Sequence, residues 1–378
     1  MVTLSPLTSV IVASVLISVS VSAYLVINDD DHDITIAWAN KDCYEPFWIA
    51  DALGYWVDEG VKVNGVILNN GSEVAASILS GNADIGGMGA DPLLRMLRDD
   101  SGSSIVCRYQ TGYSNSEFVA RDGGNGGKIS LSEYQKQLAD AESSGNDKKL
   151  REYLNKAVKG AKVGMQVGTA YWSWFLGFLD NIELTADDVT IVPLDFNVQV
   201  AALTEKQVDI ISGGSPNTEL ALEMSGSHFM ISDPDQKLAS IFLMASGNAM
   251  AAKADAIVKV LKGLQRACDL IYSDPENAAK LIIDVYGRNW TVEQQKTVFG
   301  RSIWGIDIVD KDIKALETAA KLINKAGQER KGDLPTGDKI TERIPRNDLT
   351  DLISVVMDAA DLPTPAFIKL EKGKGLRV

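Results

Sequence analysis

Two short turns carry the residues best suited to chemistry. Gly168-Thr169-Ala170-Tyr171 follows a strand-like run and opens a helix. The free N–H groups and dipole of a helix start favour an anion there, and Thr169 would add a hydroxyl donor. Gly89-Ala90-Asp91 is the equivalent turn earlier in the chain. Asp91 reads most simply as a helix N-cap, and more sharply as a carboxylate aimed at a ligand amine. Trp38, Tyr44 and Tyr171 lie at loop–helix junctions, where an aromatic ring can cover the flat or aliphatic part of a small molecule. Trp48, Trp172 and Trp174 lie nearby, and periodicity alone does not separate ligand contacts from core. Asp195 and Asn197 on one strand-end loop, and Ser215 and Asn217 on another, complete the candidates. Asp42, Glu45, Asp91 and Asp195 make these loops more acidic than basic. That balance points to a ligand carrying an amine or ring N–H as well as any anionic group.

Other chemistries find little support. The three cysteines, Cys43, Cys107 and Cys268, are far apart and form neither a disulfide framework nor a CxxC pair. With only two histidines, His32 and His228, a zinc site of the usual kind is not expected. Nothing near His228 resembles a nucleophile elbow, and no GxxxxGK[ST] phosphate loop is present. No cofactor or metal is called for. The net charge of −14 argues against nucleic acid or an anionic membrane surface as partner.

The elements that must hold these turns in place show an internal repeat. Ala76–Ile85 (ASILSGNADI) returns 125 positions later as Ala201–Ile210 (AALTEKQVDI). Each copy reads as helix, tight turn and buried strand. Each follows a strand-like run, Val61–Leu68 or Val189–Leu194, and each leads into a small-residue loop with a Pro near a helix start. Two lobes built alike would face each other through loops past the carboxyl ends of their strands, where ligands of open α/β sheets collect. A first strand at Ile34–Trp38 leads to a helix over Phe47–Glu59, ended by Gly60. Arg121–Lys159 departs from the pattern, with Gly123-Gly-Asn-Gly-Gly127 and two polar helical runs. It reads as a surface insertion or lid, structured but outside the core. Helices follow over Ala254–Tyr272, Pro275–Val285, Thr291–Arg301 and Asp310–Ala326, then a polar stretch over Gly327–Pro345 and a short helix at Leu349–Asp361.

Residues 1–28 carry no charged side chain, and Leu7–Ile27 is a run of 21 apolar or small residues. That length suits a bilayer span. Val21-Ser22-Ala23 also fits a signal-peptide cleavage site. A signal peptide and a retained anchor are both compatible with the segment, and either puts the rest of the chain outside the cytoplasmic membrane.

The order strand, Pro46-Phe-Trp-Ile-Ala-Asp-Ala-Leu-Gly-Tyr-Trp-Val-Asp-Glu-Gly60-Val-Lys-Val, then Gly71–Pro92, resembles solute-binding proteins of the nitrate, sulfonate and taurine ABC transporters and the related pyrimidine-precursor (thiamine-precursor) binders. Gly160-Ala-Lys-Val-Gly164, Gly168–Ala170, Asp188–Leu194, the Ala202…Asp209 unit and the helix at Ala254–Ala279 are similar too, so the resemblance covers roughly residues 34–325. It implies an α/β type II periplasmic-binding-protein fold. Residues 34–110 plus 245–378 would form lobe I and residues 111–244 lobe II, joined by a two-crossing hinge near Tyr109–Ser114 and Leu238–Ser246. The ligand would sit in the cleft, against Trp38–Glu45, Gly89–Asp91, Gly168–Tyr171, Asp195–Asn197 and Gly214–Asn217. The insertion and the acidic first-lobe loop depart from that family's pattern.

The resulting expectation is a monomeric, extracytoplasmic receptor, anchored, secreted or periplasmic. It would close on a small organic anion or zwitterion and deliver it to an ABC permease and its ATPase. The alternatives are binding or synthesis of a pyrimidine precursor. Synthesis would need Cys43 and His228, which the repeat places in different lobes.

Overall fold

The computed structural model describes residues 32–100, 102–112, 117–212, 214, 217–224, 228–232, 239–288, 290–307, 310–327 and 331–344. The apolar run Leu7–Ile27, Ser215, and the expected helix at Leu349–Asp361 lie outside the described residues. Among the described residues no helix is long and apolar enough to cross a membrane.

Strand β1 (Ile34–Ala39) is buried along its whole length. It runs parallel to β2 (Val63–Leu68) on one side and β3 (Ile85–Met88) on the other. Between β1 and β2 lie α1 (Glu45–Ala52) and α2 (Tyr55–Asp58). The sequence predicts one helix here. The chain instead breaks at Gly54, whose φ of 67° is left-handed, a conformation that costs glycine little. α3 (Gly71–Leu79) is capped by Asn70, whose side chain accepts from the Ser72 and Glu73 N–H groups. It leads into β3 and then α4 (Ala90–Asp99). β4 (Ser104–Gly112) also belongs to this sheet, and β5 (Glu117–Arg121) opens the second.

In the second lobe, α5 (Leu131–Ser144) and α6 (Lys148–Val158) precede β6 (Lys162–Met165) and α7 (Ala170–Asn181). β7 (Thr190–Pro193), α8 (Phe196–Thr204), β8 (Ile210–Ser212), α9 (Asn217–Met224) and β9 (His228–Ser232) follow. The chain then re-enters the first sheet as β10 (Ala239–Ala245). α10 (Gly247–Ala252), α11 (Ala254–Ser273), α12 (Pro275–Tyr286) and α13 (Val292–Phe299) come next. β11 (Ser302–Asp307), a strand the sequence reading missed, pairs with β4. α14 (Asp310–Ala326) and a short α15 (Asp338–Thr341) end the described chain.

The strand orders are β11-β4-β10-β3-β1-β2 and β7-β6-β8-β5-β9. The parallel trio β2-β1-β3 has its counterpart in β7-β6-β8. In each sheet an antiparallel strand closes the open side of the trio, β10 beside β3 and β5 beside β8. The repeated unit is therefore α3–β3 in one lobe and α8–β8 in the other. The architecture is two α/β lobes with two connections between them, from β4 to β5 and from β9 to β10.

The segment at 121–159 is not the superficial insertion that its polarity suggests. Tyr134, Leu150, Leu154, Ala157 and Val158 are buried, and the Tyr134 ring lies 5.2 Å from that of Phe229 on β9. Its polar residues cover solvent while one stripe joins the core of the second lobe. Likewise the polar stretch after Gly327 buries Leu334 and Ile340. α14 packs on both α4 and α7, and the apolar cluster it belongs to runs through both lobes.

Candidate functional site

The site begins where β1 ends. Lys41 is extended, with φ −141° and ψ 162°, and its carbonyl accepts from the Tyr44 N–H (3.0 Å) and the Tyr286 hydroxyl (2.9 Å). A single 3-10 turn, Asp42–Tyr44, then leads into α1. This turn buries Asp42 and Tyr44 and half-buries Cys43. The Tyr44 hydroxyl donates to the Gly87 carbonyl at 2.9 Å, tying the loop to β3.

Glu45 is fully buried at the start of α1. Its Oε1 accepts from Arg288 Nη1 (2.9 Å) and Gln295 Nε2 (2.8 Å). Arg288 itself stacks over Tyr286, 4.1 Å from the ring centre. Burial pushes the Glu45 carboxyl up to about 8, against the opposing pull of Arg288. Asp42 is pushed up to about 6, first by burial, with Arg288 opposing and Glu219 of the second lobe adding to the rise. Burial and the adjacent Asp42 push the Cys43 thiol well above its ordinary value.

From the second lobe, α7 presents its N-terminus. Gly89, at the start of α4, faces Ala170 so closely that a Cβ on Gly89 would collide with the Ala170 Cβ. The Ser72 hydroxyl of α3 donates to the Gly168 carbonyl at 2.6 Å. Thr169 turns its hydroxyl to the Gln166 carbonyl (2.7 Å), so no side chain caps the first turn of α7. Tyr171 is buried, stacked with Phe196 at 6.0 Å and edge-on to Trp174 at 5.1 Å. Farther along the rim, Arg301 pairs with Glu219 at 2.6 Å and Gln294 donates to Glu223 at 2.6 Å. Both bonds run from lobe I to α9 of lobe II.

The structure thus brings Asp42, Tyr44, Glu45, Gly89, Ala90, Asp91, Gly168, Thr169, Ala170 and Tyr171 to the ends of strands facing across the lobes. Asp91 stands inside the first turn of α4 behind the N-cap Gly89, fully buried and 3.9 Å from Arg95. Trp38 packs in the first-lobe core against Phe47, Trp48 and Trp56. Its ring fills the place of a side chain at Gly65. Asp195 and Asn197 are exposed, whereas Phe196 between them is buried. Asn217 is buried and donates to the Phe196 carbonyl at 2.7 Å, holding that loop in position. Arg288, Gln295 and Glu219 went unnoticed in the sequence, while Lys41 and Phe196 fall inside the expected contact loops Trp38–Glu45 and Asp195–Asn197 without being singled out. Lys41 and Phe196 each sit beside residues that were singled out, but nothing in the sequence marks Arg288, which follows a helix-ending Gly287.

These two matched sheets define a two-lobed α/β binding-protein architecture. The chain matches the NMT1-like family over residues 28–283 and belongs to it. A protein of Brachyspira hyodysenteriae named as an ABC transporter periplasmic binding protein is 24% identical over 185 residues; the match spans 49% of this chain and 53% of that relative. Among solved structures, the alkanesulfonate-binding protein SsuA of Xanthomonas axonopodis pv. citri, bound to MOPS, has a TM-score of 0.64 at 18% identity, covering 82% of this chain and 97% of that one. The aliphatic sulphonate binding protein SsuA of Escherichia coli gives 0.65 at 17%, covering 84% and 98%. The nitrate-binding protein NrtA of Synechocystis PCC 6803 gives 0.60 at 14%, covering 88% and 91%. All three share the fold of this chain.

Proposed function

We propose that the protein is the extracytoplasmic solute-binding component of an ABC importer, taking a small organic anion or zwitterion into the cleft between its lobes. The observation that carries this reading is the mixed set of charges that the two lobes bring together: buried Lys41, Asp42 and Glu45 and half-buried Arg288 from one, half-buried Glu219 from the other. Charges held in the interior by opposite charges and hydrogen bonds suit recognition of a charged solute. A hinge at the two connections between the sheets, from β4 to β5 and from β9 to β10, would let the lobes close on such a solute. A ligand touching both lobes favours the closed state by its differential affinity for it.

Catalysis on Cys43 is disfavoured by the same geometry. A nucleophilic thiol needs a lowered pKa, and the surroundings of Cys43 raise it. His228 lies on β9 of the other lobe with Nδ1 3.1 Å from the Ala221 carbonyl.

A pyrimidine precursor is the second reading, favoured by Asp42. A buried carboxylate can accept the paired N–H donors of an aminopyrimidine.

The test is a thermal-shift screen of the purified protein against taurine, alkanesulfonates, nitrate, bicarbonate, aminopyrimidines and amino acids. A micromolar ligand at millimolar concentration adds on the order of 4 kcal/mol of stability. A flat response across the panel would remove the solute-receptor reading for these ligand classes. A hit confined to aminopyrimidines would replace the first ligand class by the second.

A further inference from the structure

At the rim of the cleft the chain bonds to itself across the lobes. Arg301, between α13 and β11, pairs at 2.6 Å with Glu219 in the first turn of α9. Gln294, in the first turn of α13, donates at 2.6 Å to Glu223, one turn farther along α9. The Arg301 and Glu219 side chains are only 7% and 15% exposed, so water screens this ion pair far less than an ordinary surface pair.

Each end of the pair is fixed to its own lobe. The Arg301 N–H donates to the Val298 carbonyl at 3.1 Å, at the end of α13. The next residue, Ser302, accepts from Gln110 Nε2 at 2.8 Å and lies opposite Gly112, the last residue of β4. On the other side, Asn217 donates to the Phe196 carbonyl at 2.7 Å, and the Thr218 hydroxyl accepts from the Gly214 N–H at 2.9 Å. These two bonds seat the start of α9 on lobe II. Arg301 and Glu219 therefore move with different lobes. A shift of about 1 Å takes a 2.6 Å bond out of hydrogen-bonding range, so opening breaks the pair and admits water to both charges. Glu219 also stands close enough to Asp42 of lobe I to push that carboxyl up.

We propose that Arg301 is a positioning residue that sets how far the lobes stay closed, holding them at the rim through Glu219 without touching the ligand. Apparent affinity follows the fraction of protein in the binding-competent form, so a residue that never meets the ligand can change it. Without the guanidinium, a closed rim would shield a carboxylate that has lost its counter-charge, and the lobes would part to hydrate it. Neutralising Glu219 as well removes that penalty. This inference deepens the solute-binding reading and rests on it.

The test is small-angle scattering of the purified protein without added ligand. It compares wild type, Arg301→Met, Glu219→Gln and the double variant Arg301→Met/Glu219→Gln. Urea denaturation checks that each folds. Arg301→Gln, which removes the charge and keeps a donor, takes the place of Arg301→Met if that variant does not fold. The expected result is the largest radius of gyration in Arg301→Met, with Glu219→Gln and the double variant returning towards wild type. Calorimetry with taurine and methanesulfonate as probes should show binding weakened about 5- to 50-fold in Arg301→Met and by less in the double variant. Recovery in the double variant separates the clasp from a structural lesion or a direct ligand contact, either of which a second substitution would leave as it is or worsen. Equal radii in all four proteins overturn the role of Arg301 and leave the receptor reading standing. A double variant as expanded as Arg301→Met overturns it too. Silent probes count against that ligand class alone, and the radii still decide on Arg301.

Discussion

Arg288 reaches from the loop after α12 to donate a 2.9 Å hydrogen bond to Glu45, a fully buried carboxylate 243 positions earlier in the chain. Gln295 donates to the same oxygen at 2.8 Å. The pair fastens the C-terminal helices to the loop that carries Lys41 and Asp42. Removing one member of a buried ion pair strands the other, so above about pH 8, where Glu45 is ionised, Arg288→Ala should cost about 3–5 kcal/mol. Glu45→Gln keeps an acceptor for both donors and should cost less, about 1 kcal/mol. Urea denaturation of the two variants checks the order, and a larger loss for Glu45→Gln would contradict it.

The same carboxyl sets a pH trend. Burial raises Glu45 to about 8 in the folded chain, above its ordinary value of 4.5. Between those values the folded state holds the proton more tightly than the unfolded one, so stability falls as pH rises. Asp42, raised to about 6 from 3.8, works in the same direction at lower pH. Denaturation midpoints should therefore decline from about pH 5 to pH 8, the interval in which the unfolded chain has lost the proton that the folded carboxyl still holds. Glu45→Gln should flatten most of the upper part of that decline. A wild type and variant with parallel pH profiles would mean that Arg288 holds the carboxylate ionised throughout.

Asp42 has a separate consequence for binding. If it accepts a cationic or N–H group of the ligand, affinity should drop as pH falls below about 6, where the carboxylate takes up a proton. Asp42→Asn should bind more weakly at pH 7.5 and lose the dependence. Isothermal titration with the best ligand of the screen, at several pH values, measures both.

Much of this arrangement was legible because it follows from local patterns. The helix-turn-strand repeat at Ala76–Ile85 and Ala201–Ile210 emerged as α3–β3 and α8–β8, since a helix, a tight turn and a buried strand in succession leave a strong trace in sequence. The turns at Gly89 and Gly168 were visible for the same reason. What escaped depends on contacts far apart in the chain. Arg288 and Gln295 meet Glu45 only because α12 and α13 fold back on the first lobe. Side-chain orientation at loop ends is not legible either: the Trp38 ring packs in the first-lobe core, and Phe196 occupies the interior position that its exposed neighbours Asp195 and Asn197 do not. The segment at 121–159 misled because two amphipathic helices with narrow apolar stripes read as polar overall.

The contact between Gly89 and Ala170 can be turned into a probe of closure. Gly89 has an ordinary φ of −83°, so alanine is tolerated by its backbone. Its added Cβ would strike the Ala170 Cβ across the lobes. Gly89→Ala should therefore leave each lobe folded, with a stability change within about 1 kcal/mol, while pushing the lobes apart. Small-angle scattering should show a larger radius of gyration than wild type, and ligand affinity should fall. An unchanged radius with normal affinity would mean that the helix ends slide past each other without cost.

Asp84 and Asp209, the last polar residues of the two repeat copies, do matching work. Asp84 Oδ2 accepts from the Thr35 N–H at 2.8 Å, next to the start of β1, and pairs with Lys253 at 2.7 Å. Asp209 Oδ2 accepts from the Lys162 N–H at 3.0 Å at the start of β6, while Oδ1 takes the Asn125 N–H and Arg121, each at 2.8 Å. Each carboxylate satisfies a backbone donor where the central strand of its trio begins. Asp209 also anchors the Gly-rich turn of the 121–159 segment and so holds more bonds than Asp84. Alanine at either position should destabilise, Asp209→Ala by about 2–3 kcal/mol and Asp84→Ala by about 1–2 kcal/mol, according to the donors left unmet. The two sites lie in different lobes with no shared partner, so the double variant should lose close to the sum. Hydrogen exchange should localise the damage: faster exchange in β6 and β8 for Asp209→Ala, and in β1 and β3 for Asp84→Ala. Loss of protection spread equally over both sheets would show instead that the lobes unfold as one unit through the core shared by α4, α7 and α14.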